Sequence, residues 1–198
     1  MELILIRHGT TQGNLERRFI GLTDLPLLPA GEELARSVAP TLPPVDHIYR
    51  SPLLRCRQTA DLLWPGVAHT VVDDLHETDF GPFEGKNHEE LKDDPLYQAW
   101  ISEDADLASL PVGETSLQVA ERTARGLRWL LADAQARGFR RPAVVSHGGT
   151  MLALMLQFGR PERDYGGWMC GNCTGFRALV HPDPLELEVL EPVGGRTP

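Results

Sequence analysis

Arg7-His8-Gly9 directly follows the apolar run Leu3-Ile4-Leu5-Ile6, and His147-Gly148-Gly149 directly follows Ala143-Val144-Val145-Ser146. A neutral histidine offers a nucleophilic ring nitrogen, and arginine presents a planar fork of donors that matches phosphate oxygens. A second histidine can donate to a phosphoryl oxygen. Glycine after each histidine lets backbone approach an anion, and the N-terminus of a following helix favours negative charge. Converging on one crevice, these groups suit phosphoryl transfer, which depends mainly on positioning and charge stabilisation. Taken singly, each is weak evidence: a lone histidine after a strand is more often structural.

The elements that must position these residues alternate along the chain. Glu2 to Ile6, Val45 to Tyr49, His69 to Val72 and Ala143 to Ser146 read as strands. Phe176 to Val180 and Leu185 to Leu190 read as two final strands. Gly31 to Val38 is a predicted helix, as is Leu53 to Leu63, with Ser51 as its N-cap and Pro52 in its first turn. Ser116 to Arg137 is the longest, with Leu117, Ala120, Ala124, Leu127, Leu131 and Ala134 on one face. Thr115 and Gln118 form its capping box and Gly138 its stop. Gly148 to Phe158 is helical in pattern. Strands alternating with helices predict an α/β fold with a mostly parallel sheet. In such folds ligands bind beyond the carboxyl ends of the strands, where Arg7, His8 and His147 fall.

The 198 residues carry a net charge of −9. That balance disfavours general nucleic-acid binding but not a phosphate substrate, since a few arginines can dominate a cleft. No apolar run is long enough to span a bilayer, so no membrane partner and a cytoplasmic location are expected. Three cysteines do not make a disulfide framework, and Cys170-Gly171-Asn172-Cys173 is read as ordinary near-core cysteines. His76 and Glu77 are adjacent on an extended chain and point opposite ways, which argues against a metal pair. His47, His69, His88 and His181 have no motif around them. Neither a metal site nor a cofactor is expected. Glu84 to Asp106 is acidic, with only Lys86 and Lys92 against the seven acids from Glu89 to Asp106. It reads equally as a lid built of helical excursions or as a solvated surface insertion.

Four segments together resemble the histidine phosphatase superfamily, which includes the cofactor-dependent phosphoglycerate mutases. They are Leu5-Ile6-Arg7-His8-Gly9-Thr10-Thr11-Gln12-Gly13-Asn14, Ser51-Pro52-Leu53-Leu54-Arg55-Cys56-Arg57-Gln58-Thr59-Ala60, Glu77-Thr78-Asp79-Phe80-Gly81-Pro82-Phe83-Glu84-Gly85 and Val145-Ser146-His147-Gly148-Gly149. The resemblance implies a phosphoglycerate mutase-like three-layer sandwich with helices on both faces of the sheet. It further implies one domain over 1–192, a small cap at about 84–110 and a loose tail at 193–198. His8 would take the phosphoryl group, Arg7 and Arg55 would clamp its oxygens, and His147 would complete the pocket. Asn14, Gly21 and Gly148 would contact substrate. Glu77 would protonate the leaving oxygen and then act as base toward water. Leu28 stands where relatives often have Thr or Ser, so the helix cap is lost while Pro29 suits the first turn.

The implied activity is metal-independent hydrolysis of a small phosphate monoester. Phe83-Glu84-Gly85 and Pro111-Val112-Gly113-Glu114-Thr115 resemble the α-ribazole phosphatase and broad-specificity branches. A phosphoglycerate mutase is the alternative, disfavoured by the compact length and the acidic cap. A catalytically dead scaffold is a third reading, disfavoured because the two histidines, two arginines and the acid are all present. The sequence leaves a homodimer open.

Overall fold

In the computed structural model, residues 1–102 and 113–195 are described. The elements, in chain order, are β1 (Glu2–Arg7), α1 (Gln12–Leu15), α2 (Pro29–Val38), β2 (Ile48–Arg50), α3 (Leu54–Leu63), β3 (His69–Val71), α4 (His88–Leu91) and α5 (Pro95–Ile101). They continue as α6 (Ser116–Arg137), β4 (Ala143–Ser146), α7 (Gly148–Phe158), β5 (Gly159–Arg160), β6 (Thr174–Pro182) and β7 (Leu185–Gly194). The strands form one sheet in the order β3-β2-β4-β1-β6-β7-β5. Pairing is parallel from β3 through β1 and between β5 and β7. β6 is antiparallel to both neighbours.

β1 lies near the middle and is apolar on both faces, as a doubly covered strand must be. Leu3 and Leu5 pack on one side with Leu127, Leu130, Met151 and Met155 of α6 and α7. Ile4 and Ile6 pack on the other with Ala35, Val38, Cys56 and Ala60 of α2 and α3. These two cores are the two outer interfaces of a three-layer sandwich. A third, smaller cluster of Phe83, Leu91 and Tyr97, with Phe19, Phe80 and Trp100 against it, holds α4 and α5 beside the sheet.

Several boundaries differ from the sequence reading. The second strand is Ile48–Arg50 rather than Val45 to Tyr49. Ser51 is not the cap of the following helix: the cap residue is Leu53, and Asp24 Oδ1 accepts the Leu54 N–H at 2.7 Å from across the molecule. In α6, Leu117 is 64% exposed, because the buried stripe begins at Val119 and runs through Thr123, Leu127 and Leu130. The final strands are longer than expected, so Val193 and Gly194, placed in the loose tail, pair with Gly175 and Thr174. Residues 196–198 and the stretch 103–112 of the expected cap lie outside the described residues. Leu28 caps α2 without a side-chain bond, with Pro29 at the first helical position, as expected.

Candidate active site

The site begins where β1 and β4 end side by side. The His8 N–H donates to Ser146 O at 3.0 Å, which carries the parallel pairing one residue past the end of β1. The His8 ring lies with Nδ1 2.7 Å from Gly9 O. A carbonyl can only accept, so Nδ1 holds the proton and Nε2 keeps its lone pair. Burial, then the charges of Arg55 and Arg7, push His8 well below the ordinary histidine pKa, which keeps the ring neutral. Gly9 N–H donates to Thr59 Oγ1 at 2.9 Å, and Asn172 Nδ2 donates to His8 O at 2.9 Å. The backbone on both sides of the ring is therefore fixed from α3 and from the turn before β6.

Arg7 Nη1 donates to Cys170 O at 2.7 Å, while its Nε is buried with no partner among the described residues. An orphaned buried donor of a charged group is costly unless a ligand satisfies it. Arg55 is 1% exposed. It donates from Nη1 to Thr23 O at 2.9 Å and from Nη2 to Gly21 O at 2.8 Å. Its Nε donates to His147 Nδ1 at 3.1 Å. Asn14 Oδ1 accepts from Thr11 N, Thr11 Oγ1 and Asn172 Nδ2, so its Nδ2 is the end left to donate outward.

His147 and Gly21 sit differently from the other expected site residues. The His147 ring is fully buried, and because Nδ1 accepts from Arg55, Nε2 carries the proton and donates to Ser51 Oγ at 2.7 Å. Both nitrogens are thus engaged, and the ring backs Arg55 rather than lining the cavity. Burial and the neighbouring His8, Arg55 and Arg7 push its pKa well down. The Gly21 N–H is taken by the Glu84 carboxylate at 3.0 Å, so it is not free for a substrate. A Cβ there would meet Thr78 O at 2.1 Å, which explains a glycine at this crossing of chains.

Glu77 reaches the same cavity from the loop after β3. Its Oε2 accepts from Gly149 N at 3.0 Å, and Oε1 accepts from Thr150 N at 3.2 Å and Thr78 N at 2.9 Å. The N-terminus of α7 therefore aims the carboxylate. A Cβ on Gly149 would lie 2.6 Å from Glu77 Oε1, so this approach requires glycine.

Arg7, His8, Asn14, Arg55, Glu77 and Gly148 all line one cavity of about 620 Å³. Its floor is charged. Its walls are mostly apolar, with Phe19, Phe80 and Trp100 on one side and Leu156, Tyr165 and Met169 around α7, and with Arg18, Glu114 and Gln157 among them. Residues not singled out from sequence do much of the fixing: Ser51, Thr59 and Asn172 around the histidines, Glu84 behind Gly21, and Glu114 beside the Glu77 loop. Ser51, Thr59 and Glu84 fall within the family-like segments that carry Arg55 and Glu77, but no spacing rule connects them to their partners.

A strand-end histidine pair with two arginines and a helix-anchored glutamate defines a phosphoryl-transfer class of site. The chain matches the model of the histidine phosphatase superfamily (branch 1) over residues 3–189, and it belongs to that family. It is 32% identical over 164 residues to the probable phosphoglycerate mutase GpmB of Escherichia fergusonii, covering 79% of this chain and 75% of that protein. It is similar in fold to the α-ribazole phosphatase of Shigella flexneri, with a TM-score of 0.80, 24% identity and full coverage of both chains. It is also similar to a phosphoserine phosphatase from Entamoeba histolytica, solved with 3-phosphoglyceric acid, with a TM-score of 0.76, 28% identity and 98% coverage of each chain. The family's activity is of the phosphatase or mutase type. Among the described residues no helix is long and apolar enough to cross a membrane.

Proposed function

We propose that this chain is a metal-independent phosphomonoesterase working through a phosphohistidine on His8. In the first step His8 Nε2 attacks phosphorus, the bond from phosphorus to the alcohol oxygen breaks, and Glu77 protonates that oxygen. In the second, Glu77 takes a proton from water, the water oxygen attacks phosphorus, and the electron pair of the N–P bond returns to Nε2. Arg7 and Arg55 neutralise the phosphoryl oxygens in the role a metal has elsewhere, Asn14 adds a donor, and Gly148 packs beside the Arg7 guanidinium. His147 positions Arg55. The observation that carries this reading is the neutral, Nδ1-anchored His8 beside the partnerless Arg7 Nε.

Hydrolysis is favoured over mutase chemistry by the charge of the walls. A phosphoglycerate carboxylate or second phosphate needs a cation beyond the floor. Besides Arg7 and Arg55, the lining cation among the described residues is Arg18, which is already bound to Glu16, Glu90 and Gly85 O. Residues 103–112 contain no Lys or Arg. The apolar walls instead suit an ester whose alcohol is uncharged and bulky, a class that includes nucleoside-like esters such as α-ribazole 5′-phosphate. The mutase reading keeps support from the GpmB relative.

The test is hydrolysis of a chromogenic aryl phosphate with and without chelator, in the wild type and in His8→Ala. Chelator-insensitive turnover lost in His8→Ala supports the proposal. Isomerisation of 3-phosphoglycerate exceeding phosphate release, with the bisphosphate present, sinks it in favour of the mutase.

A further inference from the structure

Buried Arg122 and partly buried Glu114 form an ion pair that the two-step chemistry does not use. The contact is a two-pronged fork: Arg122 Nε to Glu114 Oε1 at 2.7 Å and Nη2 to Oε2 at 2.7 Å. Arg122 is 7% exposed, in the buried stripe of α6. Each partner has a second grip, and both grips fall on the segment that carries Glu77. Arg122 Nη1 donates to Asp74 O at 2.8 Å and to His76 O at 3.0 Å, before the acid. Glu114 Oε2 accepts from Asp79 N at 3.0 Å, and Glu114 N donates to Asp79 O at 2.8 Å, after it. Burial opposes the charge on Glu114, yet Arg122 and the Asp79 N–H hold its carboxyl below the usual carboxylate range.

We infer that the Glu114–Arg122 pair is a positioning device for Glu77, straddling the acid and setting its carboxylate against the start of α7. This inference rests on the proposed role of Glu77 as proton donor. Glu114 lines the same cavity, but its carboxylate is turned to the Arg122 guanidinium and the Asp79 N–H, so the pair acts on the loop that carries Glu77. It is well suited to set distance. Asp74, His76 and Asp79 lie in an extended loop with 3-10 turns rather than in a helix or strand, so no ladder of backbone bonds fixes them. A misplacement of about 1 Å at a catalytic group can lower turnover by roughly 100-fold. The reading also gives Gly113-Glu114-Thr115 a local meaning. Thr115 caps α6, and Glu114 is held at that start, eight residues before Arg122 on the same helix.

The test separates positioning from general stability through the leaving group. An alkyl phosphate needs its departing oxygen protonated, whereas p-nitrophenyl phosphate expels a stable phenolate and needs the acid far less. Glu114→Gln and Arg122→Lys each keep part of the hydrogen bonding. Each should lower kcat/KM for phenethyl phosphate by about 10- to 100-fold and for p-nitrophenyl phosphate by less than about 3-fold. In a double-mutant cycle, Glu114→Gln should add almost nothing in a Glu77→Gln background, since its effect passes through Glu77. Equal losses on both esters, or additive losses in the cycle, overturn the inference while leaving the proposed function standing. If Glu77→Gln itself leaves phenethyl phosphate turnover intact, the acid has been misassigned and the inference falls with it. Should Glu114→Gln fail to fold, Arg122→Lys carries the same cycle.

Discussion

The two ends of the cavity are built by different means. At the phosphate end, Arg7, His8, Arg55 and His147 hang on β1, α3 and the end of β4; His8, Arg55 and His147 are buried, Arg7 is half-buried, and they are fixed by bonds to backbone carbonyls, to one another and to a buried hydroxyl. At the other end the walls come from α5, the loops that carry Phe19 and Phe80, α7 and the loop after it. Tyr165 is 62% exposed there, and Leu156 and Met169 are also exposed. Exposed apolar side chains gathered around a charged floor are what a site for a bulky uncharged group presents. On the proposed function, the contrast separates an end that does the chemistry from an end that selects the alcohol. In the proposed mechanism Glu77 joins the two ends, and Glu114 and Arg122 grip the loop that carries it.

Four variants or conditions break or sharpen this contrast. The largest effect is expected at the floor, where His8→Ala should lower kcat by about 10⁴-fold or more on every ester, as loss of a nucleophile does. Steady-state rates on aryl and alkyl phosphates check it. Next, Glu77→Gln should cost about 10²- to 10⁴-fold in kcat/KM on phenethyl phosphate and markedly less in kcat/KM on p-nitrophenyl phosphate, because kcat/KM reports the first step and not the shared hydrolysis of the phosphohistidine. An equal loss on both would remove Glu77 from the boundary between the two ends. At the wall, Trp100→Ala or Met169→Ala should raise KM for phenethyl phosphate by roughly 10-fold, the effect of uncovering part of one apolar group. Such variants should shift the ranking of esters toward small alcohols, and an unchanged ranking would make the walls passive.

The smallest effect concerns pH. His8 and His147 both titrate well below the ordinary value in the folded chain. The unfolded chain, with histidines near pKa 6.5, therefore binds more protons on acidification than the native one. Their contribution to stability is fully present above about pH 6.5 and declines as pH falls below it. Urea midpoints at pH 7.5 and pH 5 should show the decline, and it should be smaller in His8→Ala. The same depression keeps His8 nucleophilic in mild acid, so kcat/KM should show no His8 inflection near pH 6.5.

The phosphate end was far more legible in the sequence than the selective end. Apolar runs followed by Arg-His-Gly and His-Gly-Gly state both the strand and the group at its tip, because strand order and chemistry are local there. Ser51 was misread for a physical reason. Its hydroxyl precedes a helix, as a cap does, yet Asp24 caps that helix and the hydroxyl turns to His147. The role of His147 was likewise hidden, since only three-dimensional proximity reveals that Arg55 occupies Nδ1. The aromatic wall gathers Phe19, Phe80 and Trp100 from positions up to 81 residues apart, and no periodicity marks such a cluster. In β7 the alternation of apolar residues with acids stops at Val189 and Pro192 follows, so the pattern does not mark the pairing that runs on to Gly194.

The most direct measurement is to quench the enzyme during turnover of a phosphate-labelled ester and locate the label by peptide mapping. A phosphohistidine mechanism requires an acid-labile, base-stable label on His8, formed in the presence of chelator, absent from His8→Ala and discharged to water as free phosphate. Full turnover with no trapped label, or with the label on another residue, would contradict it.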